Sequence, residues 1–128
     1  MIQIWKDTSI LSENKKWYEY LSDITTNDYQ AILSSPWYIN LISYGYQEWY
    51  KYYKVDPFAN FTGPQEQAKL MIGGEIALWN EYVDGANLVS RLWQRASSIA
   101  ERLWSAANVN GQSEATFRLD EHRCRLLR

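Results

Sequence analysis

Cysteine and histidine are almost missing from the 128-residue chain, which contains one of each, Cys124 and His122. A single cysteine excludes an internal disulfide and a zinc site built on several thiolates. A single histidine nearly excludes metal chemistry that depends on imidazole. We therefore predict a protein that uses neither a metal ion nor an organic cofactor.

Long apolar runs and an excess of positive charge are also missing. No run approaches the roughly 20 residues that a membrane-spanning helix needs. The start of the chain, at residues 1–5, lacks the basic and then apolar pattern of a signal peptide and instead looks like a strand, which suggests truncation. The formal net charge is -2, and no basic patch stands out. We therefore expect neither a nucleic acid nor a membrane as partner.

Aromatic side chains are abundant, with seven Trp, ten Tyr and three Phe among the 128 residues. Such side chains fill cores and interfaces, and they also line sites for ring-shaped ligands. Sugars present apolar C–H faces that stack on indole and phenol rings, with hydroxyl groups around the edge. For any single aromatic residue, core filling carries more weight than sugar binding.

Short apolar runs and segments with helical spacing alternate along the chain. Strands are predicted at residues 2–5, 31–33 and 70–79, and helices at 12–24, 47–53 and from 113 to the end. This alternation predicts an α/β fold with a parallel sheet. An eight-stranded α/β barrel needs about 250 residues, so the chain would supply somewhat more than a third of one.

A further helix is predicted to begin after Asn87, a residue type that favours the N-cap position. Residues at helical spacing form its predicted apolar stripe: Leu88, Leu92, Ala96, Ile99, Ala100 and Leu103. The polar residues between them are predicted to lie at the surface: Arg91, Arg95, Ser98 and Arg102.

Each predicted strand ends near an aromatic residue. Trp5 ends the first strand, Tyr38 and Asn40 follow the second, and Trp79 and Glu81 end the third. Because Trp79 and Glu81 are two residues apart on a predicted strand, they are expected to point to the same side. In a parallel α/β barrel the carboxyl ends of the strands form the site. These residues therefore suit a sugar pocket. From spacing alone, an alternative interpretation is slightly favoured, in which the aromatic residues cap a barrel and Glu81 is a solvated or salt-bridged carboxylate.

Two other patterns bear on chemistry. Glu75 and Glu81 would be about 20 Å apart on an extended strand, much too far for the carboxylate pair of a retaining glycosidase. Asn60-Phe61-Thr62 is an N-glycosylation sequon within a predicted loop.

Longer motifs carry a resemblance to a known family. Residues 31–40, 73–84 and 95–105 resemble consecutive motifs of the β-N-acetylhexosaminidases, which are family 20 glycoside hydrolases, in particular the lysosomal and secreted animal-type enzymes. Residues 2–5 resemble the strand that precedes these motifs. The resemblance implies that residues 1–128 are the C-terminal part of a catalytic TIM barrel, with its sixth to eighth strands and their helices.

The resemblance also implies a mechanism, in which N-acetylhexosamine-terminated glycans are hydrolysed with retention and the substrate's own acetamido oxygen is the nucleophile. Tyr38 would hydrogen-bond this oxygen and stabilise the oxazolinium intermediate. Trp5 and Trp79 would be walls of the pocket. Glu81 would accept hydrogen bonds from the outer hydroxyls, with Asn40 beside it.

Departures from the family pattern limit what the chain can do alone. The aspartate–glutamate pair that orients the acetamide and supplies the general acid/base lies on an earlier strand of these enzymes, so the chain is expected to be inactive by itself. Asn40 and Leu41 stand where some members have Asp and Arg, which bears on the acceptance of charged sugars. The parent enzyme is expected to be lysosomal or secreted, and the family allows a homo-oligomer.

Two alternatives to an enzyme fragment remain at this point. In the first, the chain is a non-catalytic carbohydrate-binding or interaction module that keeps the aromatic residues. In the second, it is a structural partner that completes a barrel made by another chain.

Overall fold

The computed structural model describes residues 1–6, 15–41 and 48–128. They fall into two compact units, the first made of Met1–Tyr38 with Asp56–Glu75 and the second of Ile39–Val55 with Ile76–Arg128. The elements in chain order are β1 (Ile2–Ile4), α1 (Trp17–Thr26), β2 (Ala31–Leu33), a 3-10 turn (Ser35–Trp37), α2 (Glu48–Tyr53), α3 (Gln65–Ala68), β3 (Met71–Gly74), α4 (Leu88–Trp104) and α5 (Gln112–Leu126).

The first unit is built on a parallel sheet in the order β1-β2-β3. Ile4 is paired with Leu33, and Leu33 with Gly74. Ile4 and Leu33 are buried, and α1 contacts both of their strands, with its own Leu21 and Thr25 fully buried. The short α3 contacts α1. The predicted α/β class and parallel pairing are therefore confirmed.

The third strand is shorter than predicted: β3 ends at Gly74, and residues 75–79 do not continue it. Its neighbour β2 ends at Leu33 and is followed at once by the 3-10 turn that contains Pro36. The amide of Glu75 still donates to the carbonyl of Leu33, at 3.0 Å. Beyond that bond the 3-10 turn replaces β2, and among the described residues the two segments meet again only at one bridge, where the Ile39 amide donates to the Ala77 carbonyl at 2.9 Å.

Gly74 has a packing role. The Trp37 side chain is fully buried, and a Cβ atom at Gly74 would lie 2.3 Å from its Cζ3 atom. At Gly73, by contrast, a Cβ atom would meet nothing within 4 Å. Of the two glycines, only Gly74 is therefore required by a close approach, and the approaching group is an indole ring.

Helices α2, α4 and α5 make up the second unit, with α4 contacting both of the others. The predicted orientation of α4 is wrong. Ser98 and Arg102 are buried and Arg95 is largely so, whereas Leu88 and Ala100 of the predicted stripe are exposed. Of that stripe, only Ile99 is buried; Leu92, Ala96 and Leu103 are partly exposed.

Hydrogen bonds explain why these polar residues face inward. The Arg102 guanidinium donates to the carbonyls of Val55 and Ala107, both at 3.3 Å. The Ser98 hydroxyl donates to the carbonyl of Arg95 at 2.7 Å. Buried polar groups are tolerated when they are paired in this way.

A second polar cluster joins α2, α4 and α5. The fully buried Tyr53 donates its hydroxyl to Glu101 at 2.9 Å, and Arg118 donates to the same Glu101 oxygen at 2.7 Å. Burial by itself raises the pKa of Glu101, but the hydrogen bonds from Arg118 and Tyr53 outweigh it and hold that pKa below its ordinary value. The ionised carboxylate therefore links the three helices.

The start of α1 differs from the sequence prediction, whereas α4 begins after Asn87 as predicted but without the expected side-chain cap. Within the described residues α1 begins at Trp17 and runs to Thr26, while residues 12–14 of the predicted helix lie outside them. Asn87 occupies the N-cap position of α4, but its side chain does not cap the helix. Its Oδ1 atom accepts from the Asp84 amide at 3.0 Å, and its Nδ2 atom donates to the Tyr82 carbonyl. The turn before α4 therefore uses both polar groups of the Asn87 side chain.

The helix predicted at 47–53 is found as α2, although residue 47 lies outside the described residues.

We expect Gly74→Ala to destabilise the first unit by about 1–3 kcal/mol, the usual cost of overpacking, because the added methyl group collides with Trp37. Gly73→Ala is the matched control on the same strand and is expected to be neutral or slightly stabilising. The measurement is the urea midpoint of each variant, made in this chain or in a longer protein that contains it. Equal midpoints for the two variants would contradict this account.

Candidate functional site

Trp5 directly follows β1, and its side chain is 46% exposed. The Lys6 ammonium lies 5.8 Å from the centre of its ring, within cation–π range. The Ser35 hydroxyl donates to the Lys6 carbonyl at 3.1 Å, which fastens this segment to the 3-10 turn. The first unit thus presents an anchored indole face to solvent.

A polar layer crosses the sheet beside these residues and was not anticipated from the sequence. Gln3 lies on β1, Ser34 follows β2 and Glu75 follows β3. The Glu75 carboxylate accepts from the Ser34 hydroxyl at 2.7 Å and from the Gln3 amide, and Gln3 also donates to Ser34 at 3.1 Å. Glu75 is therefore held in place by side chains from β1 and from the end of β2.

Tyr38 follows the 3-10 turn and is partly buried. Burial raises the pKa of its phenol, and the negative charge of Glu75 raises it further. A phenol with its ordinary pKa is already protonated in the neutral range, and the raised pKa preserves that state. Tyr38 can therefore donate a hydrogen bond to a ligand oxygen.

Asn40 and Glu81 meet in the second unit. The Asn40 side chain is 5% exposed, and its Nδ2 atom donates to the Glu81 carboxylate at 3.2 Å. Its Oδ1 atom is buried and has no hydrogen-bond partner among the described residues. A buried amide oxygen of this kind is suited to accept a hydrogen bond from an enclosed water.

Trp79 and Glu81 do not lie on a strand, contrary to the prediction that they alternate along its end. They belong to an irregular segment and a turn that come after β3 has stopped. The Trp79 side chain is 55% exposed, and Glu81 is exposed too. The second unit therefore offers an open indole together with an amide and a carboxylate, which matches the combination of stacking and hydrogen bonding that a sugar needs.

Arg95 supports this group and was wrongly predicted to be at the surface. Its Nη1 atom donates to the carbonyl of Ile39, the residue before Asn40, at 2.9 Å. Its Nε and Nη2 atoms donate to Glu48, with 3.1 Å for the Nε contact. Glu48 lies 47 positions away in the sequence, so no local pattern could identify it as the partner.

Asn60 lies in an exposed turn, as a glycosylation site requires, and its modification stays a prediction. Among residues 1–6, 15–41 and 48–128, no group of three or more His, Cys, Asp and Glu side chains is arranged to hold a metal ion. Within the same ranges, no helix is long and apolar enough to cross a membrane.

Comparison with known proteins relates these residues to one family. Residues 1–107 match the family model described as "Glycosyl hydrolase family 20, catalytic domain". Human beta-hexosaminidase subunit beta is 49% identical over 127 residues, covering 99% of this chain and 21% of that protein. Rat beta-hexosaminidase subunit alpha is 44% identical over 128 residues, covering 100% of this chain and 23% of that protein.

A solved structure is similar as well. The chitobiase of Flavobacterium johnsoniae superposes with a TM-score of 0.80 at 28% sequence identity, covering 93% of this chain and 17% of that one. The chain thus spans about a fifth of the length of the curated relatives that it matches.

Glu75→Gln is expected to lower the pKa of the Tyr38 phenol, because it removes the negative charge that disfavours tyrosinate while preserving the shape of the side chain. The ultraviolet absorbance of tyrosinate reports the titration, and subtraction of the matching Tyr38→Phe protein isolates Tyr38. Glu66→Gln is the control, since Glu66 is an exposed residue paired with Lys69. An unchanged Tyr38 midpoint in Glu75→Gln would show that the two groups are not coupled.

Proposed function

This chain belongs to glycosyl hydrolase family 20, and on that premise we propose that it forms part of a β-N-acetylhexosaminidase. The enzyme would hydrolyse terminal non-reducing N-acetyl-D-hexosamine residues of glycans. The observation that carries the proposal is the match to beta-hexosaminidase subunits along essentially the whole of this chain, at 44–49% identity. The open indoles, the phenol donor and the Asn40–Glu81 pair support it.

We assign β1, β2 and β3 to the sixth, seventh and eighth strands of a TIM barrel, with residues 1–128 as the C-terminal part of the catalytic domain. The parallel pairing and sequential order of the strands support this assignment, as does the similarity to the chitobiase. The barrel's other strands would come from residues outside these.

In the proposed mechanism the acetamido oxygen of the substrate attacks the anomeric carbon, and the glycosidic bond breaks as an oxazolinium ring forms. Tyr38 would donate its phenolic proton in a hydrogen bond to that oxygen. Because that oxygen becomes part of a cationic ring, the hydrogen bond would act by holding the acetamide in line with the anomeric carbon, and such positioning raises kcat more than it tightens binding. The Tyr38 phenol, whose pKa is raised by burial and by the charge of Glu75, is protonated at neutral pH and can act as this donor.

Recognition of the sugar would fall to the other four residues. Trp5 and Trp79 expose indole faces on which the pyranose ring and the acetamide methyl can stack. Glu81 would accept hydrogen bonds from the outer hydroxyls, with Asn40 beside it donating from its Nδ2 atom to the carboxylate. The aspartate–glutamate pair that orients the acetamide and protonates the leaving group would lie on an earlier strand, outside residues 1–128.

Location and assembly follow from the same proposal. We expect the parent enzyme to be lysosomal or secreted, with Asn60 as a glycosylation site. The matched relatives are named as subunits, which supports an oligomeric parent.

A chimera tests the proposed function. Residues 1–128 replace the matching segment of human beta-hexosaminidase subunit beta, and turnover of an aryl β-N-acetylglucosaminide is measured. We expect an active chimera and an inactive isolated chain, since general acid/base assistance alone is worth about 10²- to 10⁴-fold. A folded chimera that binds N-acetylglucosamine without turning over substrate would instead favour a carbohydrate-binding module.

Within the chimera, Tyr38→Phe is expected to lower kcat by roughly 10²-fold, the order of effect expected when an attacking group is no longer held in line, with a smaller change in KM. Tyr29→Phe is the matched control, because Tyr29 is an exposed tyrosine of the same unit. An effect of Tyr38→Phe confined to KM would show that the phenol only binds the substrate.

A further inference from the structure

We propose that Arg95 is a positioning residue for sugar recognition, which fixes the backbone at Ile39 so that Asn40 and Glu81 are aligned with the outer hydroxyls of the hexosamine. The proposal rests on the proposed function. It adds a residue that does not touch the substrate and acts through the two residues that do.

The Arg95 guanidinium is held rigidly. Its side chain is 11% exposed and that of Glu48 is 12% exposed, so the ion pair is largely shielded from water. Two of its nitrogen atoms donate to one Glu48 oxygen, and the third, Nη1, is left to donate to the Ile39 carbonyl at 2.9 Å. The planar guanidinium thereby fixes the direction in which Nη1 points.

The peptide groups of Ile39 are fixed at both ends. Ile39 is fully buried, and its amide donates to the Ala77 carbonyl at 2.9 Å while its carbonyl accepts from Arg95. The Ile39 carbonyl belongs to the peptide bond that leads into Asn40. A shift of that carbonyl therefore moves the backbone from which the Asn40 side chain projects.

Asn40 passes this constraint to Glu81. The exposed Glu81 carboxylate lies in a turn, and Asn40 donates to it at 3.2 Å. Arg95, Ile39, Asn40 and Glu81 thus form a continuous chain of bonds from the inner face of α4 to the carboxylate. The exposed Glu81 carboxylate is a hydrogen-bond acceptor, so its position decides which hydroxyl configuration is favoured.

Arg102 shows what a structural arginine on the same helix does. It is 7% exposed and also donates to two backbone carbonyls, those of Val55 and Ala107. Neither carbonyl adjoins Asn40 or Glu81. Arg102 is therefore the matched control for an effect that comes only from losing a buried guanidinium.

The experiment uses the chimera and compares kcat/KM for two aryl substrates, the β-N-acetylglucosaminide and the β-N-acetylgalactosaminide, which differ in the configuration of one outer hydroxyl. We expect Arg95→Lys to change the ratio of the two kcat/KM values by about 3- to 10-fold, the range that one misaligned hydrogen bond produces. Arg102→Lys should leave this ratio unchanged, even where it lowers thermal stability. Glu48→Gln, which keeps the shape but weakens the hold on Arg95, should move the ratio in the same direction as Arg95→Lys.

A loss of activity that is equal for both substrates in Arg95→Lys would overturn the proposal, and so would an equal change of ratio in Arg102→Lys. If Arg95→Lys and Glu48→Gln both fail to fold, Arg95 is a structural residue and the proposal is again wrong. An unmutated chimera that is folded but inactive on both substrates would refute the proposed function instead.

Discussion

Arg95 and Arg102 carry two positive charges into the interior of the second unit, and the helices there are arranged around them. A guanidinium removed from water costs several kcal/mol unless hydrogen bonds and an opposite charge replace its hydration. Arg95 meets this requirement with Glu48 and the Ile39 carbonyl, and Arg102 does so with the carbonyls of Val55 and Ala107. These partners come from α2 and from the chain on either side of the helices. Rotation of α4 about its axis would break both sets of bonds together, so the arginines fix its orientation.

This constraint explains where sequence reasoning succeeded and where it failed. Apolar runs identified β1 and β2 nearly to the residue, because strands buried in a parallel sheet require such runs. Helical periodicity found α4 and placed Ile99 correctly in the interior, but it put Arg95, Ser98 and Arg102 at the surface, since the rule places arginine in water. The bonds that reverse this assignment span 47 and 56 positions, and no local pattern contains them.

Local competition accounts for the other differences. The apolar run after Gly74 has the composition of a strand, but the turn at Pro36 ends the neighbouring strand first. Asn87 has a capping side chain, but the turn before α4 uses both of its polar groups. Tyr38, Asn40 and Glu81 were singled out from motifs without knowledge of what supports them. Gln3, Ser34 and Arg95 provide that support. No catalytic or sugar-binding role is predicted for them, so the sequence alone does not single them out.

The burial of the two arginines also affects which residues of α4 are exposed. Because the arginines occupy part of the interior, several apolar residues of the helix are exposed although Ile99 is buried: Leu88 is 42% exposed, Trp93 48% and Trp104 92%. Isolated exposed apolar residues are common on proteins, but several along one helix mark a surface that another element covers. In the proposed barrel, residues outside this chain would supply that cover.

Two separate hydrogen-bond networks hold the residues to which the proposed chemistry is assigned. In the first unit, Glu75 is fixed by Gln3 and Ser34, and its charge acts on Tyr38, whose proposed role belongs to the reacting acetamide. In the second unit, the bonds from Arg95 end on Asn40 and Glu81, whose proposed role belongs to the outer hydroxyls. The hydrogen bonds given above for the two networks have no residue in common. A change in the bonds of Arg95 can therefore alter recognition of the sugar without breaking the bonds that hold Glu75.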